Sequence, residues 1–315
     1  MGYKKISYEH KIFNEDYCFC EDREYQTVQV NLQLENLLQS QSVDADGIYS
    51  GYRTVSQDQA AEMALRERVA AVQYDNYLDT ICLSHSIPVM DREVDRFLLN
   101  LPHGALILDI GGCWGWHWRR LAETRPDAGL VIIDFVRSNL LHAKNVLEDL
   151  VGRQVVLIHA DATALPFVID EGFSGFDGVW TVQTFQHIPD FNKAVLEAYR
   201  VLKAQSGLFV NYSLNVQPTV RWLYGLFGRR YITKGNVPGA FWLARASEEQ
   251  KKFIEAVFGT KVSERWSEIL FSPALHFNVP GRAGSLLGQL DSFLSNNVGF
   301  LRGFARQHSF HCKKQ

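Results

Sequence analysis

ALILDIGGCWG, residues 105–115, is an apolar run that ends on an acid and then breaks into glycines. A near-continuous apolar run suits a strand buried on both faces. Glycines placed directly after it let the backbone approach a ligand closely before a helix begins. The same alternation continues downstream. A helical pattern starts at Trp116, LVIID follows at 130–134, a helix covers 138–151, VVLIHA occupies 155–160, GFDGVWTV 175–182, a helix 189–204 and GLFVNYS 207–213. Short apolar runs alternating with amphipathic helices mean parallel strands joined by crossover helices. RWSEILF and HSFHCKK, at 265–271 and 308–314, read as the last two strands and bring the expected total to seven.

Upstream of this core the pattern differs. Residues 1–55 are acidic and Tyr-rich, with turn signals at Asp44-Ala45-Asp46-Gly47, and read as a loosely ordered leader. The spacing of Ala60, Met63, Ala64, Val69, Val72 and Leu78 predicts a helix over 56–83, and a second is predicted over 90–101. Residues 1–104 are thus a leader and helical cap, and residues 105–315 the core. Two insertions decorate that core. The aromatic and basic stretch TVRWLYGLFGRRYITKGNVPGAFWLAR lies in a segment, 214–245, that matches no core element, and a Leu-rich helical segment spans 283–304. Between them, Ser247 and Gln250 form a capping-box pattern that opens a helix, and Gly259 suits its stop.

The chain has 315 residues, 46% hydrophobic and 21% charged, with a formal net charge of −3. That balance gives no electrostatic reason to expect a nucleic-acid partner. Its five cysteines include no paired CxxC set, and Cys18 and Cys20 have no second pair nearby, so no metal site is expected. The odd count, the lack of a charged-then-apolar leader and the lack of a membrane-length apolar run lead to the expectation of a cytoplasmic chain. Nothing in the sequence specifies an oligomeric state.

In an open parallel sheet the ligand lies beyond the carboxyl ends of the strands, where the strand order reverses. Three successive strands end there on carboxylates: Asp109, Asp134 and Asp161. Each alone reads equally as a helix cap or a solvated loop acid, but three in a row suggest a ligand. A dinucleotide fingerprint needs glycines at relative positions 1, 3 and 6, and from Gly111 these would be Cys113 and Trp116. The nicotinamide oxidoreductase is therefore the third reading.

These residues resemble the class I methyltransferases, a Rossmann-like α/β family, and specifically the group that includes the ubiquinone and menaquinone C-methyltransferases. The likeness covers about residues 105–213. LILDIGGCWG resembles the first motif, hLDhGxGxG, which implies that Asp109 and the turn of Gly111, Gly112 and Gly115 hold the methionine and ribose parts of S-adenosylmethionine. Asp134 matches the ribose-binding acid. HADATALPF resembles the stretch that ends the third strand, which implies that Asp161 faces the adenine amino group and the Ala162 backbone its ring. FDGVWTVQTFQHIPDFNKAVLEAYRVLKAQSGLFV resembles the fourth motif and the helix after it. Two positions depart from the pattern: Cys113 stands at the middle glycine of the first motif, and Gln205-Ser206-Gly207 replaces the usual end of the helix.

The donor of this family carries an activated methyl, so the protein mainly aligns a nucleophile and excludes water. His187, just after the fourth strand, is the candidate general base, and its other reading is a wall of the cofactor pocket. Gln183 and Thr184 read as pocket lining. Tyr74, in Tyr74-Asp75-Asn76-Tyr77, resembles a "YD" element that closes over the cofactor, against simple packing on the core. His85, Arg92 and His276 read as isolated polar residues. In the 214–245 insertion, Trp222, Tyr224, Phe227, Tyr231, Phe241 and Trp242 flanked by Arg221, Arg229 and Arg230 suit acceptor selection, with lid packing preferred to contact with a membrane surface. The expectation is thus a seven-stranded Rossmann-like sheet that transfers a methyl group from S-adenosylmethionine to a small molecule. The alternative is a non-catalytic S-adenosylmethionine-binding or partner subunit.

Overall fold

A computed structural model of the chain describes residues 42–51, 57–72, 74–82, 85–215, 217–228, 247–270 and 282–315. The central sheet runs β1 (Ser42–Val43), β2 (Tyr49–Ser50), β5 (Val155–His159), β4 (Gly129–Asp134), β3 (Leu106–Ile110), β6 (Gly178–Val182), β7 (Leu208–Leu214), β9 (Gln307–Lys313) and β8 (Ser263–Ser267). From β2 through β7 all neighbours are parallel, while β9 is antiparallel to both β7 and β8. Every residue of β3 and β4 is buried. This explains why their sequences are apolar runs without alternation.

Among the described residues the sheet has nine strands rather than the expected seven. The Asp44–Gly47 turn closes a hairpin in which Asp44 Oδ1 accepts from the N–H groups of Asp46 (2.9 Å) and Ile48 (3.0 Å). Its second arm, β2, pairs parallel with Ile158 and His159 and covers the edge of β5. Two-residue arms are too short to show a period, so the expected leader conceals them; residues 1–41 lie outside the described residues.

Helices cover both faces. α3 (Ile87–Leu99) buries Met90, Val94, Phe97 and Leu98 on one side of the sheet together with α5 (Arg137–Leu147). α6 (Phe191–Val201), capped by Asp190 on the Lys193 N–H, buries Phe191, Ala194, Val195, Ala198 and Val201 on the other, beside α8 (Ser247–Phe258). Side chains alternate along β3: Leu108 and Ile110 join the α6 layer and Ile107 the α3 layer. Asp109 shares the parity of Ile107, so it points to the α3 face.

Three helix expectations change. The 56–83 pattern divides into α1 (Gln57–Ala70) and α2 (Tyr77–Cys82), because Asn76 Oδ1 accepts from the Leu78 N–H at 3.0 Å and starts a new helix. The helix from Trp116 is a 3₁₀ turn, Trp116–Trp118, followed by the four-residue α4 (Leu121–Thr124). Gln250 is fully buried and its side chain is bonded inward, accepting from Asn211 Nδ2 (3.1 Å) and donating to Ser213 Oγ (2.7 Å). Gly259, at φ +65°, does stand past the end of α8. Of the two insertions, the first shows α7 (Pro218–Leu226), with Trp222 and Phe227 exposed, and 229–246 lies outside the described residues. The second is α9 (Arg282–Asn297) followed by a 3₁₀ stretch, Gly299–Phe304. Among the described residues no helix is long and apolar enough to cross a membrane.

Candidate functional site

The strand order reverses between β3 and β6: β4 and β5 follow to one side of β3, and β7 lies beyond β6 on the other. The loops leaving these strands diverge there and open a crevice. The β3 loop is folded tightly against its neighbours. Gly111 and Gly112 both donate to the Ile133 carbonyl, at 2.8 and 3.3 Å, and Thr184 Oγ1 donates to the Gly111 carbonyl at 3.2 Å. Gly111 has φ +70°, and a Cβ there would lie 2.2 Å from Thr184 Cγ2, so two constraints require glycine. Cys113 also takes a left-handed conformation, φ +51°, and is exposed. The turn therefore keeps the path that a glycine would give it and turns the extra side chain outward, at the cost of some backbone strain.

Asp109 lies beneath this turn, 1% exposed. Its Oδ2 accepts from Trp118 Nε1 at 2.6 Å, while Oδ1 has no hydrogen-bond partner among the described residues. Burial pushes its pKa up to about 7; the Trp118 bond opposes this and the nearby Asp134 adds to it. Asp134 ends β4 and is 5% exposed. Oδ1 accepts from the Val136 N–H (2.8 Å) and Asn139 Nδ2 (3.3 Å), and Oδ2 from the Cys113 N–H (3.1 Å). Burial raises it to about 6 despite those three bonds. The acid is thus held by the turn that it was expected to accompany.

Asp161 and Ala162 follow β5 at the same edge, both half-buried. Asp161 accepts from the Thr163 N–H and hydroxyl, each at 2.8 Å, and so also serves its own turn. Gln183 leaves β6 at φ +54°, donates its N–H to the Tyr212 carbonyl at 2.7 Å, and has a buried Nε2 without a partner among the described residues. His187 closes the 3₁₀ turn Phe185–His187, with Nε2 3.3 Å from Gln186 Nε2. Burial, and after it the Arg66 charge, push its imidazole down to about 3. The imidazole is therefore neutral at physiological pH.

The helical cap reaches this edge through residues that the sequence did not single out. Arg66, on α1, exerts its charge on Cys113, Asp134 and His187 alike. Its neighbour Glu67 accepts from the Arg137 N–H at 2.8 Å and from Ser138 Oγ, supplying partners at the start of α5. In the sequence both are charges on a helix and carry no further signal. Tyr74 packs against Trp114 (ring centroids 4.6 Å), His142 (5.7 Å) and Tyr77 (6.3 Å). It stands beside the glycine turn as part of an aromatic cluster. His276, Arg229, Arg230, Tyr231, Phe241 and Trp242 lie outside the described residues.

The edge thus offers two buried carboxylates, a further turn acid and a glycine turn, and among the described residues Asp109 Oδ1 and Gln183 Nε2, one on each side of the switch point, are buried without partners. A ligand with cationic and hydroxyl groups would satisfy them.

Residues 107–205 match the family described as a methyltransferase domain. The chain is 34% identical over 143 residues to the demethylmenaquinone methyltransferase of Thermus thermophilus, covering 45% of this chain and 60% of that relative. It is 34% identical over 122 residues to a ubiquinone/menaquinone biosynthesis C-methyltransferase of Rickettsia prowazekii, covering 37% and 47%. The chain therefore spans about half the length of the curated relatives it matches. Among solved structures, the phosphoethanolamine N-methyltransferase 2 of Haemonchus contortus in complex with S-adenosyl-L-methionine aligns over 71% of this chain and 53% of that one, with 16% identity and a TM-score of 0.47.

Proposed function

We propose that this chain, whose residues 107–205 match a methyltransferase domain, is a class I S-adenosylmethionine-dependent methyltransferase that transfers the methyl group of that cofactor to a small-molecule acceptor. The observation that carries the reading is Asp109: a fully buried carboxylate raised to about 7, with Oδ1 unpartnered among the described residues, beneath a glycine turn that is tied to a second buried acid. Burying an acid in this way is unfavourable unless a cation or donor arrives to meet it. S-adenosylmethionine supplies a positively charged donor of an electrophilic methyl group. In this reading Asp109 and the turn of Gly111, Gly112 and Gly115 take its methionine and ribose portions, and Asp134 takes the ribose hydroxyls. Asp161 and the Ala162 backbone take the adenine, Gln183 the amino-acid end, and Tyr74 the flank of the turn. His187 closes the pocket wall.

The acceptor is approached first through the relatives, whose names point to demethylated quinones. The 214–245 insertion, where exposed aromatic residues of α7 leave the same edge after β7, is the place for its selection. One observation favours a second reading, a non-catalytic S-adenosylmethionine-binding subunit: Cys113 occupies the middle-glycine position of the turn. Thermal denaturation with S-adenosylmethionine, S-adenosylhomocysteine and NAD in parallel tests the cofactor, since only a ligand of the native state raises the midpoint. Labelled methyl transfer into a cell-extract metabolite pool then separates enzyme from binder. Stabilisation by NAD alone would overturn the reading.

A further inference from the structure

The glycine turn folds back on the acid that precedes it. After Gly115 the chain enters the 3₁₀ turn Trp116–Trp118, and the Trp118 backbone N–H closes that turn on the Gly115 carbonyl at 2.9 Å. Gly115 stands at φ +65°, and a Cβ there would lie 2.6 Å from Leu147 Cδ1 of α5, so the reversal is tight. It carries the Trp118 indole into the layer between the sheet and α3, with ring centroids 5.7 Å from Trp180 and 6.2 Å from Phe97. Trp118 is fully buried there. Its Nε1 donates to Oδ2 of Asp109, nine residues back in the chain, at 2.6 Å.

The same oxygen is enclosed from a second side. A Cβ built at Gly112 would fall 2.4 Å from Asp109 Oδ2 and 2.7 Å from Ile132 Cγ2, so the turn lies directly on that oxygen and only a residue without a side chain fits. Rotation of an aspartate carboxyl is otherwise broad. The indole bond and the Gly112 backbone fix its plane, and with it the direction of the lone pairs on the other oxygen. That oxygen, Oδ1, is buried without a hydrogen-bond partner among the described residues. The groups that bear on Asp109 electrostatically are Asp134, at the end of β4, and the Cys113 thiol within the turn. Arg66 of α1 acts on both of these. His117, next to Trp118, is pushed down to about 3, chiefly by burial, and is neutral. Against burial and Asp134, the Trp118 N–H favours the ionised acid. Asp134 needs no such side chain, because the Val136 and Cys113 backbone N–H groups orient it.

We propose that Trp118 is a positioning residue of the cofactor site: with Gly112 it holds one oxygen of Asp109 and so presents the other, as an ionised acceptor, to the cationic amino group of S-adenosylmethionine. This rests on the methyltransferase reading. A charge-assisted hydrogen bond from that ammonium group to Oδ1 satisfies both the buried charge and its unpartnered oxygen. Trp118 acts in this step only through Asp109. Its N–H sets a direction, by fixing the carboxyl plane, and a charge, by favouring the carboxylate over the acid. Without that N–H, Asp109 takes up a proton at higher pH, and a protonated acid offers the ammonium group no charge. The second effect separates positioning from packing: the affinity lost with the N–H grows as pH falls, whereas affinity lost with packing is the same at every pH.

The test uses the full chain. Trp118→Phe keeps an aromatic ring and removes the N–H. S-adenosylhomocysteine, which retains the amino group, is titrated calorimetrically into wild type and variant between about pH 6 and pH 8, and the ratio of the two dissociation constants is read. Ionisation of the ligand, of Asp134 and of Cys113 is common to both proteins and cancels in that ratio. With Asp109 at about 7 in wild type and about one unit higher in the variant, the ratio should shrink about fivefold from pH 6 to pH 8. A ratio that stays constant marks lost packing and overturns the assignment. In an Asp109→Asn background the same change should give a constant ratio, and pH dependence that persists there assigns it to another group and overturns the proposal. If Trp118→Phe does not fold, wild type is read by nitrogen–proton NMR. The Trp118 indole N–H should titrate in the free protein, and its midpoint should fall by about one unit or more when S-adenosylhomocysteine binds. A resonance that does not titrate, or a midpoint that the ligand leaves in place, overturns the proposal. Wild type that binds no S-adenosylhomocysteine overturns the methyltransferase reading, and the proposal with it, even where the indole titrates.

Discussion

Asp109→Asn should make the ligand-free protein more stable and the ligand-binding protein worse. Asn keeps an oxygen for Trp118 Nε1, which lies 2.6 Å from Asp109 Oδ2, and removes a charge that burial penalises. Because the folded pKa of Asp109, about 7, is above the ordinary 3.8, its contribution is most favourable below the unfolded value and is lost as pH rises through the folded one. The native state holds the proton across that window, so wild-type stability declines relative to the variant from about pH 4 to pH 7. The full interval corresponds to roughly 4 kcal/mol, and the part between pH 5 and pH 8 to roughly 2 to 3 kcal/mol. Urea unfolding of both proteins at these two pH values reads the difference directly, and subtraction cancels the contributions of other groups such as Asp291. S-adenosylhomocysteine should bind the variant about 10-fold or more weakly, since a hydrogen bond to a charged acceptor is worth about 1.5 to 3 kcal/mol. A stability difference that does not change between pH 5 and pH 8, or that favours wild type at pH 8, would refute the account of Asp109 as an acid held for a ligand.

Asp134→Ala is expected to weaken S-adenosylhomocysteine binding by about 10- to 100-fold, since charged hydrogen bonds to hydroxyls contribute about 1.5 to 3 kcal/mol; calorimetry checks it, and an unchanged dissociation constant would remove Asp134 from the site. Gly111→Ala combines a left-handed φ of +70° with a Cβ 2.2 Å from Thr184 Cγ2, so a loss of about 2 to 4 kcal/mol in urea unfolding is expected. A cost under about 0.5 kcal/mol would mean that the turn re-forms freely. Replacing residues 218–240 with a short Gly-Ser linker should keep S-adenosylhomocysteine binding and abolish methyl transfer to the natural acceptor. Loss of binding in a soluble, monodisperse sample would make the segment part of the core instead.

What the sequence made legible is whatever one local stretch of chain determines. β3 through β7 were readable because a strand buried on both faces must be apolar throughout, and Asp109, Asp134 and Asp161 because each interrupts such a run at its end. Asn76 shows a signal that was present but outweighed. Its side chain caps α2, yet the apolar spacing around it continues in register and so predicts one helix where there are two. Gln250 shows the reverse. Its position three residues after Ser247 fits a cap, but Asn211 and Ser213 on β7 engage its amide. A buried polar partner from another element overrides a surface pattern, because an unsatisfied amide in the core costs more than a cap contributes.

The residues that stayed invisible are those whose chemistry arises only from distant pairing. Glu268 sits in RWSEILF, where an acid in an apolar run reads as an outward-facing strand residue, and its partners His85 and Arg306 are 183 and 38 residues away in the chain. Nothing local to any of the three marks the others. The sheet brings them together because β8 and β9 are antiparallel neighbours, so the residue after β8 meets the one before β9, and because α3 begins above both. The same topology divides the edge unevenly. Strands β3 to β5 end on acids that are readable one by one, while β6 to β9 carry a polar group assembled from four segments. Asp109, Asp134 and Asp161 each follow an apolar run and so leave a mark in the sequence, whereas Glu268, His85 and Arg306 are brought together only by the fold.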